Sequence, residues 1–259
     1  MRFGICSNIQ RAAEVRWTGA DFLEESVQGL LQGLVADAEW RGAELARGCP
    51  LPIPAANMLV PADLKIVGPS VDFERLQTYI TRVGARARQI GIKILVFGSG
   101  GARSVPDGFE RERAVAQIVA FAKMAAEVCL RNEIVLAVEP LNRKECNIIN
   151  TLAEAMTYVK AVNHRAFRCL LDTYHFWMEN EPLENIEPAL ASIAHVHVAD
   201  KIGRVAPGES GSADYHPIFH LLKRAKYSGA ISVEALGFND FESAGKRVIA
   251  FLHRQWDEA

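Results

Sequence analysis

Glu139, Asp172, His197 and Glu234 each stand at or beside the end of a short apolar run: Val135–Glu139, Cys169–Asp172, His195–Val198 and Ile231–Glu234. They follow one another at intervals of 33, 25 and 37 residues, each about the length of one strand–helix unit. Successive units of a parallel sheet would deliver four such side chains to one rim. Three carboxylates brought within a few ångströms repel, and burial worsens the repulsion. A divalent cation removes it, and three carboxylates with one imidazole suit Mn²⁺ first, with Mg²⁺, Co²⁺ or Zn²⁺ also compatible. His195 shares the strand face of His197; we take His197 as the ligand and His195 as the structural histidine.

The elements that must position these residues recur as a beat of apolar run, loop and amphipathic stretch. The pattern predicts strands over 1–6, 20–24, 52–59, 94–98, 134–139, 167–172, 193–198 and 230–235. Helices are predicted over 9–17, 35–47, 72–90, 109–132, 151–162, 183–191, 215–227 (capped by Asp214) and 240–256. In 72–90, Phe73, Leu76, Ile80, Val83, Ala87 and Ile90 step by three and four, which makes one apolar face. Continuous apolar strands between helices imply a parallel sheet covered on both faces. Eight units in 259 residues fit one α/β domain over 1–259, a single (β/α)8 TIM barrel, whose function would lie at the strand C-termini. An open doubly wound sheet is the other arrangement, but GxGxxG does not follow the first strand.

Composition narrows the function classes. The chain is 49% hydrophobic and 23% charged with net charge −2, a soluble globular balance without the basic surplus of nucleic-acid binders. No apolar run approaches the ~18 residues of a membrane span. Met1–Cys6 turns polar too soon for a secretory signal. Five scattered cysteines without a CxxC pair suggest a reducing, cytoplasmic setting. The expected partner is a small sugar, with neither nucleic acid nor membrane, in a chain that can form a homo-oligomer.

Several motifs, mostly in 95–236, resemble the sugar phosphate isomerase/epimerase superfamily with its xylose isomerase-like barrel. They are Val96-Phe97-Gly98-Ser99-Gly100-Gly101-Ala102-Arg103, Val138-Glu139-Pro140-Leu141-Asn142-Arg143, Asp172-Thr173-Tyr174-His175, His197-Val198-Ala199-Asp200 and Val233-Glu234. The nearest branch in motif is the ketose 3-epimerases (D-tagatose 3-epimerase-like). The resemblance implies Glu139, Asp172, His197 and Glu234 as metal ligands, Glu139 and Glu234 also as the acid/base pair, and Glu145, His175 and Arg204 as substrate-binding residues. It implies a metal-dependent epimerase or aldose–ketose isomerase working through an enediolate. After His197 the chain departs from the pattern: Asp200 stands where relatives have Glu, and one extra residue precedes Arg204. Two other classes stay open, an inosose-type dehydratase at the same site and an apurinic endonuclease-like DNA repair enzyme. The second needs several more strand-end histidines, and the earliest histidine here is His164.

Weaker features surround this set. The Gly98–Gly101 run could let backbone approach a ligand or form an anion nest. Arg103 could meet a phosphate or carboxylate, or anchor its loop. Asn8, Glu24 and Asn57 fall near the ends of the first three strands and could line the pocket. Trp177 could offer an apolar platform to a sugar or serve the core.

Overall fold

The computed structural model describes residues 1–238 and 240–259. Eight parallel strands close into a barrel in sequence order: β1 (Arg2–Cys6), β2 (Phe22–Ser26), β3 (Ala55–Asn57), β4 (Ile94–Phe97), β5 (Val135–Val138), β6 (Phe167–Asp172), β7 (Ile193–Val198) and β8 (Ala230–Val233). The predicted barrel is therefore the observed one. Its covering helices are α1 (Ala12–Trp17), α2 (Gly42–Gly48), α3 (Phe73–Ile90), α4 (Gly100–Arg103), α5 (Arg111–Arg131), α6 (Leu152–Val162), α7 (Thr173–Met178), α8 (His216–Arg224) and α9 (Lys246–Glu258). Asp72 and Thr151 cap α3 and α6 by accepting from the N–H groups of Arg75 and Glu154.

The departures from expectation have local causes. The predicted helix 35–47 shrinks to α2; the preceding stretch holds a π-helical turn, Val27–Leu31, ended by Gln32 at positive φ. The strand predicted over 52–59 keeps only Ala55–Asn57, because Pro52 and Pro54 can donate nothing to a ladder and act only through their carbonyls, to Leu23 and to Lys93 and Ile94. The segment 183–191 forms two 3-10 pieces, Leu183–Asn185 and Glu187–Ser192, rather than one α-helix. Asp214 accepts from the His216 N–H, but the cap residue of α8 is Tyr215.

Inside the barrel the side chains lie in layers. Val96, Ala137 and Leu170 form a small apolar cluster separate from the large core between sheet and helices. Gly4 pairs with Phe22, whose ring occupies the space a Cβ on Gly4 would take: that atom would lie 2.3 Å from the ring. Between β6 and β7 the register skips, Cys169 pairing with Ile193 but Leu170 with His195. A one-residue slip reverses which side chains face inward. Ile193 packs in the outer core, whereas His195 and His197 face the lumen, with Asp172 opposite His197.

Gly4→Ala overpacks the lumen against Phe22. The expected loss is about 1–3 kcal/mol, or a Tm lower by about 3–10 °C in a chain of this size, measurable by calorimetry.

Candidate metal centre and sugar pocket

Each strand-end residue arrives because an inward position falls at the last pleat of its strand. Glu139 follows β5, Asp172 ends β6, His197 is the penultimate residue of β7 and Glu234 follows β8. One ligand atom from each of the four lies within 4.8 Å of all the others. The His197 Nδ1 is 3.1 Å from Glu139, 3.7 Å from Glu234 and 3.9 Å from Asp172. Gly98 makes this cluster feasible, since a Cβ there would sit 2.3 Å from the Glu139 carboxylate. That close approach is what Gly98 provides.

The loops fix the site from outside. Arg103 is fully buried and donates to the carbonyls of Phe97 (2.9 Å) and Glu139 (2.8 Å), so it anchors the β4 and β5 ends and does not meet a ligand. Trp177 packs on Tyr215, with ring centroids 5.1 Å apart, and serves the core. Asp200, fully buried, accepts from the Tyr215 hydroxyl and from Gly208 and Ser210. It pins the loop that carries Arg204.

Glu145, His175 and Arg204 converge on the same centre. Asn142 holds the His175 Nδ1 through its backbone N–H (3.1 Å) and its amide (2.8 Å). Nδ1 is therefore the acceptor, and the ring proton sits on Nε2. That atom is buried without a hydrogen-bond partner and lies 4.0 Å from Glu145. Arg204 bridges Glu145 (3.3 Å) and Glu234 (2.5 Å) and lies over the Tyr174 ring. Gly203 and Arg204 both take positive φ, 73° and 49°. Asn57 donates to Glu234 at 2.9 Å. Glu24, wholly buried, touches His195, His197 and Ser232.

The centre opens into a cavity of about 640 Å³ that Asn8, Glu24, Asn57, Glu139, Arg204 and Glu234 help to line. A larger groove, about 1140 Å³, lies between α2 and α3 on the barrel's outside. It is remote from the strand ends, and its Arg82 and Arg86 are engaged by Asp37. The four-residue cluster borders the smaller cavity through Glu139 and Glu234.

Crowding shows in the proton affinities. Burial first, then the Glu234 charge, pushes Asp172 up to about 6 and Glu139 above the usual carboxylate range. Burial opposes ionisation of Glu234 too, but His197 and Arg204 hold it down at about 2. His197, against burial, is raised well above an ordinary imidazole by Glu24 and Glu234. Burial keeps His175 low, which suits a neutral ring. Two buried carboxylates, the half-buried Glu234 and an imidazole nitrogen gathered around one point fit a divalent cation by donor chemistry.

The xylose isomerase-like TIM barrel family model matches residues 59–254. The chain belongs to that family. It is 29% identical to an L-ribulose 3-epimerase of Mesorhizobium japonicum over 262 residues, covering 96% of this chain and 83% of that one. A 116-residue stretch is 34% identical to the 3-dehydro-D-guloside 4-epimerase of Escherichia coli, spanning 43% of this chain and 42% of that protein. Among solved structures, the D-psicose 3-epimerase of Clostridium cellulolyticum H10 with D-tagatose superposes with a TM-score of 0.85 at 17% identity, over 99% of both chains.

Cation binding at this cluster must displace protons. His197, raised well above its ordinary value, gives one up on binding at neutral pH. Asp172, raised to about 6, adds a second below that pH. Mn²⁺ affinity should therefore fall about tenfold per unit from pH 7 to 6 and more steeply below it. Calorimetric titrations in buffers of different ionisation enthalpy count the protons directly.

Proposed function

We propose that the protein is a divalent-metal-dependent epimerase or isomerase of a neutral ketose or related keto-sugar. One observation carries the reading: two glutamates, Glu139 and Glu234, meet Asp172 and His197 beside a cavity that Asn57, Glu145 and Arg204 also line. The names of the relatives, L-ribulose 3-epimerase and 3-dehydro-D-guloside 4-epimerase, support it.

In this reading Glu139, Asp172, His197 and Glu234 hold the cation, Mn²⁺ being our first choice. A bound divalent cation supplies Lewis acidity to a ketose carbonyl and its neighbouring hydroxyl, acidifying the C–H between them. One glutamate removes that proton, giving an enediolate, and the other returns a proton to the opposite face. Were the proton taken from C1 instead, its return to C2 of the 1,2-enediolate would exchange ketose and aldose. The His175 Nε2–H and the Arg204 guanidinium donate to sugar oxygens, and Glu145 accepts from a hydroxyl.

Charge argues for an uncharged substrate. Among the described residues lining the cavity, Arg204 is the one cation, and it already faces Glu145 and Glu234. Glu24, Glu25, Glu139, Glu145 and Glu234 line the same space. A phosphate or carboxylate would enter against this excess, whereas a polyol meets donors and acceptors in turn.

Glu139→Gln and Glu234→Gln should each retain Mn²⁺ yet lower turnover by at least about 10²–10⁴. Proton–deuterium exchange in D₂O, followed by NMR across ketoses and inososes, locates the acidic carbon. Each variant should lose exchange with a different epimer first; equal exchange with both epimers in both loaded variants overturns the two-glutamate scheme. Loss of water from an inosose would point to a dehydratase. Separately, Asp172→Asn or His197→Ala should abolish stoichiometric Mn²⁺ binding, and about one tightly held ion per chain in either variant would refute the ligand set.

A further inference from the structure

A second layer of polar groups backs the four-residue cluster, and Glu24 among them also borders the cavity. The Glu24 carboxylate is wholly buried. Its Oε2 lies 2.7 Å from His195 Nε2 and 2.5 Å from Ser232 Oγ, and its Oε1 lies 2.9 Å from His197 Nε2. The strand register builds this contact: His197 pairs with Ser232 across β7 and β8, and Glu24 reaches both from β2.

We propose that Glu24 is a positioning residue, which holds the proton of His197 on Nε2 and so presents Nδ1 to the cation. The inference rests on the metal-dependent reading above. A carboxylate is acceptor-only, so each of its three partners must donate to it. Ser232 gives its hydroxyl proton, and His195 and His197 give their Nε2 protons. The His195 Nδ1 has no partner, which a ring protonated on Nε2 tolerates because only a lone pair is left there. For His197, a committed Nε2–H leaves Nδ1 as the one nitrogen able to ligate, and Nδ1 is the atom facing Glu139, Asp172 and Glu234. Carboxylate–histidine–metal triads work in this way, and removing the outer partner costs about 10–100-fold in metal affinity.

A purely structural Glu24 would support the barrel without choosing the nitrogen, so the test reads the nitrogen. Protein carrying ¹⁵N-histidine and loaded with diamagnetic Zn²⁺ is examined by NMR. The expected spectrum shows His197 bound through Nδ1, with a slowly exchanging Nε2 proton. Glu24→Gln should remove that protection and weaken Mn²⁺ binding about 10–100-fold by calorimetry, and Glu24→Asp should recover part of both. Ligation through Nε2, or undiminished Mn²⁺ affinity in a folded Glu24→Gln protein, overturns the proposal while leaving the ligand set intact. If wild-type protein binds neither ion, the metal reading itself fails and takes this role of Glu24 with it. Should Glu24→Gln not fold, the wild-type Zn²⁺ spectrum still decides which nitrogen binds.

Discussion

Mutual repulsion of buried carboxylates is the constraint around which the barrel's upper half is arranged. Two unit charges about 4 Å apart cost roughly 4 kcal/mol at an effective dielectric near 20. Glu139, Asp172 and Glu234 place three such charges around one point. The protein's own counter-charges offset part of this: His197 sits among the three, and Arg204 reaches Glu234. Burial first, and then the remaining repulsion from Glu234, raise the proton affinities of Glu139 and Asp172. Such repulsion at the rim of a closed sheet is what the cation of the proposed function would relieve.

Holding the charges together requires a scaffold that cannot relax. Loops alone would let the carboxylates drift apart; the closed strand ladder does not, because moving one strand end breaks pairing on both sides. Arg103 extends that stiffness beyond the sheet by tying the carbonyls of Phe97 and Glu139 together, and Gly98 keeps clear the space that Glu139 enters. Arg103 serves the site from outside the cavity lining, whereas Gly98 is part of that lining.

The fold was legible because eight apolar runs alternate with helical stretches, a rhythm that few architectures share. The four strand-end residues were legible because their spacing follows that rhythm. Glu145, His175 and Arg204 depended on resemblance, and the structure brings all three to the centre. What stayed hidden depends on contacts across the barrel. The skip between β6 and β7 that turns His197 inward leaves no mark in an apolar run. Gly4 looked like any strand residue, since the ring that needs its space belongs to the neighbouring strand. Glu24 was visible only as a pocket-lining candidate, because its partners are 171 to 208 residues away. Arg103 offered two roles, and only burial against backbone carbonyls separates them.

The cation cluster and the sugar-binding wall are one hydrogen-bonded body. Asp172 accepts from the His175 N–H and so caps α7, the helix that carries that histidine. Asn142 holds the His175 ring and, through the same amide, Glu145. Glu145 meets Arg204, and Arg204 returns to Glu234. The chain thus begins on one candidate ligand and ends on another, passing through every group assigned to the sugar. In the proposed reaction, such a path would fix the sugar's oxygens relative to the cation without needing the substrate to organise it, as a preorganised site must. In the proposed reaction, the carbon whose proton becomes acidic is then selected by where His175, Glu145 and Arg204 hold the remaining hydroxyls. On that proposal, substrate identity would be set by this outer arc rather than by the four residues of the cluster.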